Sequence, residues 1–454
     1  MSAKPPRLAS AVVLYRIHAG RPEVFWVKRS LRVPFMAGFH AFPGGSVEKN
    51  EAPIEGGPAG EPPTAVGAAL RELMEEAAVK LPAAALSPIG HWITPPFSPI
   101  RFDTRFYLAE CPADQTPHVT PGELESGAWI EPAAALEQWE RGAILAAPPT
   151  IHLLRSCASS ADPNRWTEAA LAIPQASGGE VHRIEMRRGI VLVPLRTPTL
   201  PPATHTNCYV VGGSRPAVVD PGAHDEAEQR VLEGVLAQLS REGKKPSRIL
   251  LTHHHPDHVG GAVALAKALG VPICATRETR DAIAPAIPVD EIVADHQRFD
   301  VGDGHAPLEA LLTPGHAHGH LCFLTENALL SGDLILGMGT TVVDPPDGDM
   351  GAYMTSLEKL ASRKLGALFP GHGPVLADSL AKIHEYQAHR FERENQILDA
   401  LAGGAKSPAE IVTSVYTDVP EAMHAFAARS VLAHLQWLLT KGAVRRDGER
   451  WART

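Results

Sequence analysis

The sequence is poor in the features that mark secreted and membrane-spanning proteins. It has five cysteines among 454 residues, and no two are spaced C-x-x-C, which argues against a disulfide framework and against a thiolate zinc knuckle. No uninterrupted apolar run reaches the roughly 18 to 20 residues that a membrane span needs, and the start, MSAKPPRLAS, lacks the apolar segment of a signal peptide. We therefore expect a cytoplasmic protein with no membrane partner.

Basic charge is also scarce. The chain has 42 Lys plus Arg against 51 Asp plus Glu, a net charge of -9, so no global positive field is available to hold a polyanion. Its 44% hydrophobic and 20% charged residues are typical of globular proteins, and 454 residues exceed what one hydrophobic core usually holds. The composition predicts several domains, in which a nucleic acid would need a local basic site.

Proline- and glycine-rich segments divide the chain. The first, at 51–64, indicates a loop inserted between a strand and a helix, the second lies near 162–180, and the third is the PGHGP sequence at 370–374. From these segments we predict three domains, which cover residues 1–175, 183–378 and 379–454.

Histidine is the residue type present in abundance, with 22 copies. The sequence THHHPDHVGG at 252–261 follows an apolar strand at 248–251 and precedes a helix. Because side chains alternate along extended backbone, His253 and His255 point into one pocket, whereas Asp257 and His258 turn toward a neighbouring position as the helix begins. Imidazole and carboxylate ligands suit Zn²⁺ and, less selectively, Mn²⁺ or Fe. One loop can therefore serve two adjacent metals.

Three further candidate ligands follow later apolar runs, each on its own loop: His316, Asp333 and His372. The order H-x-H-x-D-H, then His, Asp and His, resembles the metallo-β-lactamase superfamily over about 189–375. The resemblance implies an αββα fold with two zinc ions, or Mn²⁺ or Fe. Under it, the first metal takes His253, His255 and His316, the second takes Asp257, His258 and His372, and Asp333 bridges them.

Other polar residues of this region are assigned different roles. Asp220, which ends the strand at 217–219, matches the early Asp of the superfamily and is expected to orient a ligand rather than to bind metal. His254, His318 and His320 are expected to be surface or core histidines. Asn207, in the segment T-N-C-Y, is assigned either a place near substrate or a turn.

Two metals that share a water lower its pKa to near 7, which predicts a hydrolase with Asp257 and Asp333 as its catalytic carboxylates. The best-known zinc β-lactamases carry Cys where this chain has Asp333, so antibiotic hydrolysis is not expected. The run at 331–353, SGDLILGMGTTVVDPPDGDMGAY, resembles the branch of the β-lactamase-like endoribonuclease, whose members cut single-stranded RNA. That resemblance implies phosphodiester hydrolysis. The alternative is hydrolysis of acyl thioesters, such as an acyl-CoA or a glyoxalase II substrate.

The C-terminal region resembles the winged-helix domain of the same branch. We predict helices at 384–402 and 421–441, a capping box that starts at Ser407, and a hairpin centred on Asp447 and Gly448. On the last helix, the predicted core stripe consists of Met423, Phe426, Leu432, Leu435 and Leu439, with Arg429 and His434 on the polar face.

Charge argues only weakly for nucleic acid at this domain. Residues 381–454 contain 10 Lys plus Arg and 9 Asp plus Glu, a net of +1. A packing or homodimerisation role is one interpretation. Phosphate contact by Lys441, Arg445, Arg446 and Arg450 is the other.

The N-terminal region has a second constellation, LRELMEEA at 70–77. Helical spacing turns Leu70, Leu73, Met74 and Ala77 toward a core, and it places Glu72, Glu75 and Glu76 on the opposite face, where hard carboxylates suit Mg²⁺ or Mn²⁺. With AFPGG at 41–45, this segment resembles the Nudix hydrolase box, whose family cleaves nucleoside diphosphate derivatives.

The resemblance implies an α/β/α sandwich, metal binding by Glu72, Glu75 and Glu76, and catalytic roles for Glu75 and Glu76. The chain departs from the box in three ways: the 51–64 loop is inserted, Pro63 stands where a Glu is expected, and Ala78 replaces the closing Gly. The inserted loop is similar to that of the CoA diphosphatase branch, so an inactive domain would still bind a nucleotide or CoA. The alternative is a solvated acidic helix face with an Arg71 to Glu75 ion pair.

Overall fold

The structure is a computed structural model, which describes residues 4–172, 181–417, 421 and 424–454. The chain forms two compact units, Met1–Leu192 and Val193–Thr454. The predicted end of the first domain, at residue 175, lies outside the described residues. The predicted division between 378 and 379 lies within the second unit, so the three-domain subdivision stays a prediction.

The first unit is built on a seven-stranded mixed sheet of order β3-β2-β1-β6-β5, in which β4 also pairs with β1 and β7 with β2. Among the described strands of this sheet, β1 and β6 are the pair that runs parallel. The strands are β1 (Arg7–His18), β2 (Arg21–Arg29), β3 (His40–Ala41), β4 (Gly44–Ser46), β5 (Ser87–Ile93), β6 (Phe102–Glu110) and β7 (Leu124–Ile130). The helices are α1 (Pro63–Ala77), α2 (Pro132–Glu140), α3 (Pro148–Ala158) and α4 (Trp166–Leu171), with 3₁₀ turns at Ala83–Ala85 and Pro163–Arg165.

Alternation along β1 produces two cores. Val12 and Leu14 belong to the core that α1 covers, whereas Ala11 and Val13 belong to the core that α2, α3 and α4 cover. Both faces of the central strand are therefore buried, as its continuous apolar run requires. The predicted α/β/α sandwich is confirmed.

Helix α1 differs in detail from the predicted division of its faces. Leu73 and Ala77 are fully buried, but Met74 is 52% exposed and Glu76 is buried. The prediction was wrong for these two residues because the buried stripe runs through Val66, Leu73 and Ala77, which turns Met74 outward and Glu76 toward β4. Ala78 ends the helix with a φ of 54° and donates to the carbonyls of the last turn, in place of the glycine common there.

The second unit contains two sheets. The first has the order β14-β13-β12-β11-β10-β9, and the second has the order β15-β16-β17-β18-β19. Strand β9 (Ile190–Arg196) begins in the first unit, where it pairs with β8 (Ile184–Arg187). The other strands of the first sheet are β10 (His205–Val211), β11 (Ala217–Val219), β12 (Arg248–Leu250), β13 (Ile273–Ala275) and β14 (Glu291–Ile292). Those of the second are β15 (Arg298–Phe299), β16 (Leu308–Leu312), β17 (Leu321–Thr325), β18 (Ala328–Gly332) and β19 (Leu368–Pro370).

Helices cover these sheets in an αββα arrangement, which confirms the predicted fold. They are α5 (Glu226–Arg241), α6 (Pro256–Val259), α7 (Ala262–Leu269), α8 (Arg277–Ile283) and α9 (Met350–Ala361). Helix α9, for example, buries Tyr353, Leu357 and Leu360 in a core shared with Leu311 of β16 and Leu329 of β18. In the part of the chain that the structure describes, no helix is both long and apolar enough to cross a membrane.

The second unit ends in α10 (Ser379–Ala400), α11 (Pro408–Val415), α12 (His424–Thr440) and a hairpin of β20 (Val444–Asp447) and β21 (Arg450–Arg453). The capping box at Ser407 forms as predicted. Helix α10 starts earlier than predicted because the Asp378 side chain accepts the backbone N–H of Ala381 and so caps it. In the hairpin, Asp447 pairs with Arg450, so the two-residue loop is Gly448 and Glu449 rather than Asp447 and Gly448.

The predicted core stripe of α12 was largely wrong. Phe426 and Leu439 are 42% and 43% exposed, whereas His434, assigned to the polar face, is fully buried. The helix packs instead through Val431, Leu435 and Leu438. Of the predicted stripe, Leu435 is buried and Leu432 is partly buried, whereas Met423 lies outside the described residues.

Candidate metal centre

Seven side chains predicted to bind metal converge where strands of the two sheets end. His253 follows β12, His316 follows β16, Asp333 follows β18 and His372 follows β19. His255, Asp257 and His258 come from the loop after β12 and from the start of α6. The structure brings them together in three overlapping groups: His253, His255 and His316; His253, His258 and Asp333; Asp257, His258 and His372.

The first group has the dimensions of a metal coordination shell. His255 Nδ1 lies 3.0 Å from His253 Nε2 and 3.1 Å from His316 Nε2. Ligand atoms bound at the usual zinc–nitrogen length to one tetrahedral ion are about 3.3 Å apart. Three ring nitrogens aimed at one point therefore fit a divalent cation.

The group of Asp257, His258 and His372 has similar dimensions and is joined to the first by Asp333. His372 Nε2 lies 3.3 Å from both His258 Nε2 and Asp257 Oδ2. Asp333 Oδ1 lies 3.4 Å from His258 Nε2, and its Oδ2 lies 3.4 Å from His372 Nε2 and 3.8 Å from His316 Nε2. Asp333 Oδ1 is buried without a hydrogen-bond partner. A buried carboxylate oxygen needs a positive or donating partner, so this orphan fits a bridging metal ligand.

The outer nitrogen of each ligand histidine faces an oxygen, and hydrogen bonds at four of the five rings fix the ring and its tautomer. His316 Nδ1 faces the Val342 carbonyl and His372 Nδ1 faces the His205 carbonyl, each at 2.8 Å. The remaining contacts are His253 Nδ1 with Thr252 Oγ1 at 2.9 Å, His258 Nδ1 with Asp220 Oδ2 at 2.8 Å, and His255 Nε2 with Asp347 Oδ2 at 3.5 Å.

Asp220 is the centre of this supporting network. Its carboxylate accepts the Thr252 backbone N–H at 2.8 Å and the Thr252 hydroxyl at 2.6 Å, in addition to its contact with His258. It is buried, and its φ is 51°, a left-handed conformation that costs energy for a residue with a side chain. As predicted from the sequence, its contact is with a ligand ring rather than with the metal position.

The loop that carries His372 is held from β10. Asn207 Nδ2 donates to the carbonyls of Pro370 and Gly373, both at 2.9 Å, and the Tyr209 hydroxyl donates to the Pro370 carbonyl at 2.7 Å. Asn207 therefore lies in a strand rather than in a turn, and its amide shapes this loop. Within the loop, Gly371 packs so closely that an added Cβ would lie 2.5 Å from Asp333 Oδ1.

Electrostatics divides the histidines into two classes in the metal-free protein. Burial lowers the pKa of His253 well below its usual range, and it lowers the pKa of His316 to about 4. For His258 and His372, burial acts in the same direction, but the nearby carboxylates together outweigh it: Asp333 and Asp220 raise the pKa of His258 well above its usual range, and Asp333 and Asp257 raise that of His372 to about 10. Metal binding must therefore displace protons from His258 and His372.

Three histidines predicted not to be ligands lie nearby. His320 is fully buried, and its Nε2 accepts the Asp333 backbone N–H at 3.3 Å, a supporting role. His254 and His318 both face Asp347, at 3.4 Å. Asp347 was not assigned from the sequence, although it lies in the quoted run DPPDGD, because nothing in its spacing links it to the loop after β12.

The C-terminal helices hold the loop between β18 and α9. The Tyr386 hydroxyl of α10 accepts the Leu336 N–H at 3.0 Å and donates to the Gly339 carbonyl at 2.9 Å. Arg390 donates to the Thr341 carbonyl, and Arg429 binds Asp344. Lys441 and Arg450, two of the predicted phosphate contacts, form ion pairs with Glu394 and Glu410.

The three glutamates of the first unit are arranged differently from the histidines. Arg71 donates to Glu72 and to Glu75, each at 2.9 Å, so the predicted i,i+4 pair forms. Among the described residues, the groups able to hold a metal with three ligands all lie in the second unit. The structure does not bring Glu72, Glu75 and Glu76 together as such a group.

Two contacts nevertheless keep the helix α1 carboxylates close to the glycine-rich strand β4. Glu76 accepts the Gly44 N–H at 2.7 Å, and burial raises the pKa of Glu76 to about 7. Glu51, from the inserted loop, binds Arg71 at 3.0 Å. Arg71 thus has an acidic partner from the inserted loop, whereas the position at which the Nudix box carries a Glu is Pro63 in this chain.

Family models match three parts of the chain: the metallo-beta-lactamase superfamily at 201–372, the beta-lactamase associated winged helix domain at 407–451 and the NUDIX domain at 5–147. A beta-lactamase-like protein 2 homolog from Drosophila melanogaster is 35% identical over 253 residues, which cover 53% of this chain and 84% of that protein. An atrochrysone carboxyl ACP thioesterase from Paecilomyces divaricatus is 32% identical over 228 residues, which cover 48% of this chain and 66% of that protein. A beta-lactamase domain protein from Burkholderia ambifaria shares the fold, with a TM-score of 0.52 and 22% identity over 60% of this chain and 93% of that one.

Proposed function

Because the chain belongs to the metallo-β-lactamase superfamily and carries NUDIX and winged-helix domains, we propose that its second unit is a dinuclear zinc hydrolase of acyl thioesters. The ligands we propose are His253, His255 and His316 for one metal, Asp257, His258 and His372 for the other, and Asp333 between them. Such a pair would lower the pKa of a water to near neutrality and polarise the substrate carbonyl.

The chain's own groups have defined tasks in this proposal. The hydrogen-bonding oxygens at the outer nitrogens, from Thr252, Asp220 and the carbonyls of Val342 and His205, hold the protons of four ligand rings away from the metal side. The carboxylates of Asp257 and Asp333 orient the attacking water and accept its proton. The water oxygen bonds to the thioester carbonyl carbon, the C–S bond breaks, and the thiolate takes up the accepted proton and leaves as the thiol.

One observation carries the choice of substrate. We define the metal-site loops as the loops that surround the seven side chains, which are residues 197–206, 220–225, 252–261, 313–320, 331–349 and 370–376. These loops contain no Lys and no Arg. Proteins hold nucleic-acid backbones through Lys and Arg contacts to phosphates, so these loops favour a substrate that is neutral around the scissile bond. Arg390 and Arg429, which reach these loops from α10 and α12, are already engaged with the Thr341 carbonyl and Asp344. The similarity to an ACP thioesterase points the same way.

Hydrolysis of single-stranded RNA is the second candidate, and a different observation favours it. The winged-helix match ends in a hairpin on which Arg445, Arg446, Arg450 and Arg453 are exposed. Four guanidinium groups on one hairpin suit phosphate contacts, although Arg450 already pairs with Glu410.

The test compares both substrates on zinc-loaded full-length protein. Thiol release from a series of acyl-CoA thioesters and cleavage of a fluorescent single-stranded RNA are measured for wild type, Asp333→Asn and the control Asp378→Asn, which keeps a good helix cap. We expect thioester turnover that Asp333→Asn abolishes and the control retains, without RNA cleavage. RNA cleavage alone would establish the second candidate, and neither activity in protein with two bound metals would refute both.

For the first unit we propose a nucleoside diphosphate derivative such as CoA as ligand or substrate, with Mg²⁺ or Mn²⁺ held by Glu72, Glu75 and Glu76. The roles of Glu75 and Glu76 as catalytic groups belong to this proposal. The buried position of Glu76 beside the Gly44 N–H supports it. Hydrolysis of CoA by wild type and Glu76→Gln in Mg²⁺ tests it, with binding of CoA measured in parallel. A cytoplasmic location and a homodimer stay predictions.

A further inference from the structure

A third cluster of ligand atoms lies beside the metal pair. It consists of His254, His255 and Asp347, whose nearest ligand atoms lie within 4.8 Å of one another. His254 Nε2 is 3.4 Å from Asp347 Oδ2, and His255 Nε2 is 3.5 Å from the same oxygen. All three side chains are partly exposed, so the cluster is open to solvent.

These separations are poor for hydrogen bonds and good for coordination. Imidazole N–H groups normally donate to carboxylate oxygens at about 2.7–3.2 Å. Ligand atoms around one tetrahedral zinc are about 3.3 Å apart. Two ring nitrogens approach one carboxylate oxygen here at the longer distance, as they do within the metal pair.

The surroundings prepare the cluster for a cation. His318 donates its backbone N–H to Asp347 Oδ1 at 3.0 Å, and its ring Nδ1 lies 3.4 Å from the same atom, so the carboxylate is fixed. His254 Nδ1 is buried without a hydrogen-bond partner, which leaves Asp347 as the charged group that the His254 ring faces. Two side chains on the loop after β12 thus meet one from the loop before α9.

We propose that His254, His255 and Asp347 bind a third divalent cation, of the zinc class, at the rim of the metal pair. The inference rests on the proposed function, because His255 is shared: its Nδ1 faces the pair and its Nε2 faces the new ion. With three protein ligands, the ion keeps an open position for water or substrate.

This ion supplies what the metal-site loops lack. Those loops have no Lys or Arg, yet a carrier-bound or CoA-bound acyl substrate brings phosphate and often carboxylate groups. A cation at the rim gives such a group, which lies away from the neutral scissile bond, a positive partner without a basic side chain. The same charge offsets that of Asp347.

The experiment counts metals in the full-length chain. Chelator-stripped protein is titrated with Zn²⁺ by calorimetry, and bound zinc is confirmed by elemental analysis, for wild type, His254→Gln and Asp347→Asn. The control is His296→Gln, which alters a surface histidine that contacts Glu309 at 2.8 Å. Thermal unfolding of each variant shows that it is folded.

We expect wild type and the control to bind three equivalents, the third more weakly, and His254→Gln and Asp347→Asn to lack the third. Wild type that saturates at two equivalents overturns this inference and leaves the proposed function intact. A third equivalent that persists in both variants also overturns it. Fewer than two equivalents in wild type would overturn the metal pair as well, so the two failures are distinguishable.

Discussion

Replacement of Asp220 by Asn tests whether this residue controls the metal site from behind His258. The carboxylate accepts three contacts, from the Thr252 N–H at 2.8 Å, the Thr252 hydroxyl at 2.6 Å and His258 Nδ1 at 2.8 Å. An amide keeps one oxygen and presents an NH₂ group in place of the other. That NH₂ group cannot accept a proton from His258 Nδ1 but can donate to it.

The expected consequence is a tautomer change. With Nδ1 as acceptor, the neutral His258 ring carries its proton at Nε2, which lies 3.4 Å from Asp333 Oδ1. To bind metal, His258 must then lose its Nε2 proton. The hydrogen bond that the amide introduced at position 220 donates to Nδ1 opposes that loss. Loss of a supporting partner of this kind costs about 10- to 100-fold in metal affinity, equivalent to about 1.4–2.8 kcal/mol.

Competition with a chromophoric chelator at pH 7 measures the affinity for each zinc. We expect the second equivalent to weaken by that factor in Asp220→Asn, while the first changes less. The matched control is Asp225→Asn, which alters an exposed helix cap where Asn and Asp are equally good. Wild-type affinity for both equivalents in Asp220→Asn would refute the tautomer argument.

Three further predictions concern the same unit. Metal affinity should rise between pH 6 and 8, because the raised pKa values of His258 and His372 keep both rings protonated until the metal expels their protons. The affinity should change by up to about tenfold per pH unit for each proton expelled. A chelator-competition profile that is flat with pH would contradict this prediction. Gly371→Ala should lose bound zinc by elemental analysis, since its Cβ would lie 2.5 Å from Asp333 Oδ1, whereas Gly403→Ala, with nothing within 4 Å, should keep it. Tyr386→Phe leaves the Leu336 N–H without its acceptor and should lower the free energy of unfolding in urea by about 1–3 kcal/mol; an unchanged value would show that water replaces the hydroxyl.

Local sequence predicted the elements that carry the site. The strand at 217–219 forms with the predicted bounds, and β12 is one residue shorter than predicted, because short apolar runs bounded by polar loops leave little freedom. The capping box at Ser407 was also predictable from local sequence, because its hydrogen bonds join residues only three positions apart.

Helix faces were predicted less well. Met74 and His434 were each assigned to the wrong side, and so were Phe426 and Leu439. A helix of period 3.6 allows several apolar stripes that overlap, and only the position of the neighbouring sheet or helix selects which one is buried. The α1 stripe was selected by the sheet of the first unit, and the α12 stripe by α11 and the hairpin.

By itself, the sequence determined the identity and order of the seven candidate ligands, because His and Asp at fixed spacing after apolar strands leave few other interpretations. Only the tertiary structure decided what supports them. Asp347, the Val342 carbonyl and Asn207 lie far along the chain from the groups they contact, at separations from 26 to 166 residues for the hydrogen bonds of His316 and Asn207. No local pattern encodes such contacts, since they arise only when the sheets bring their strand ends together.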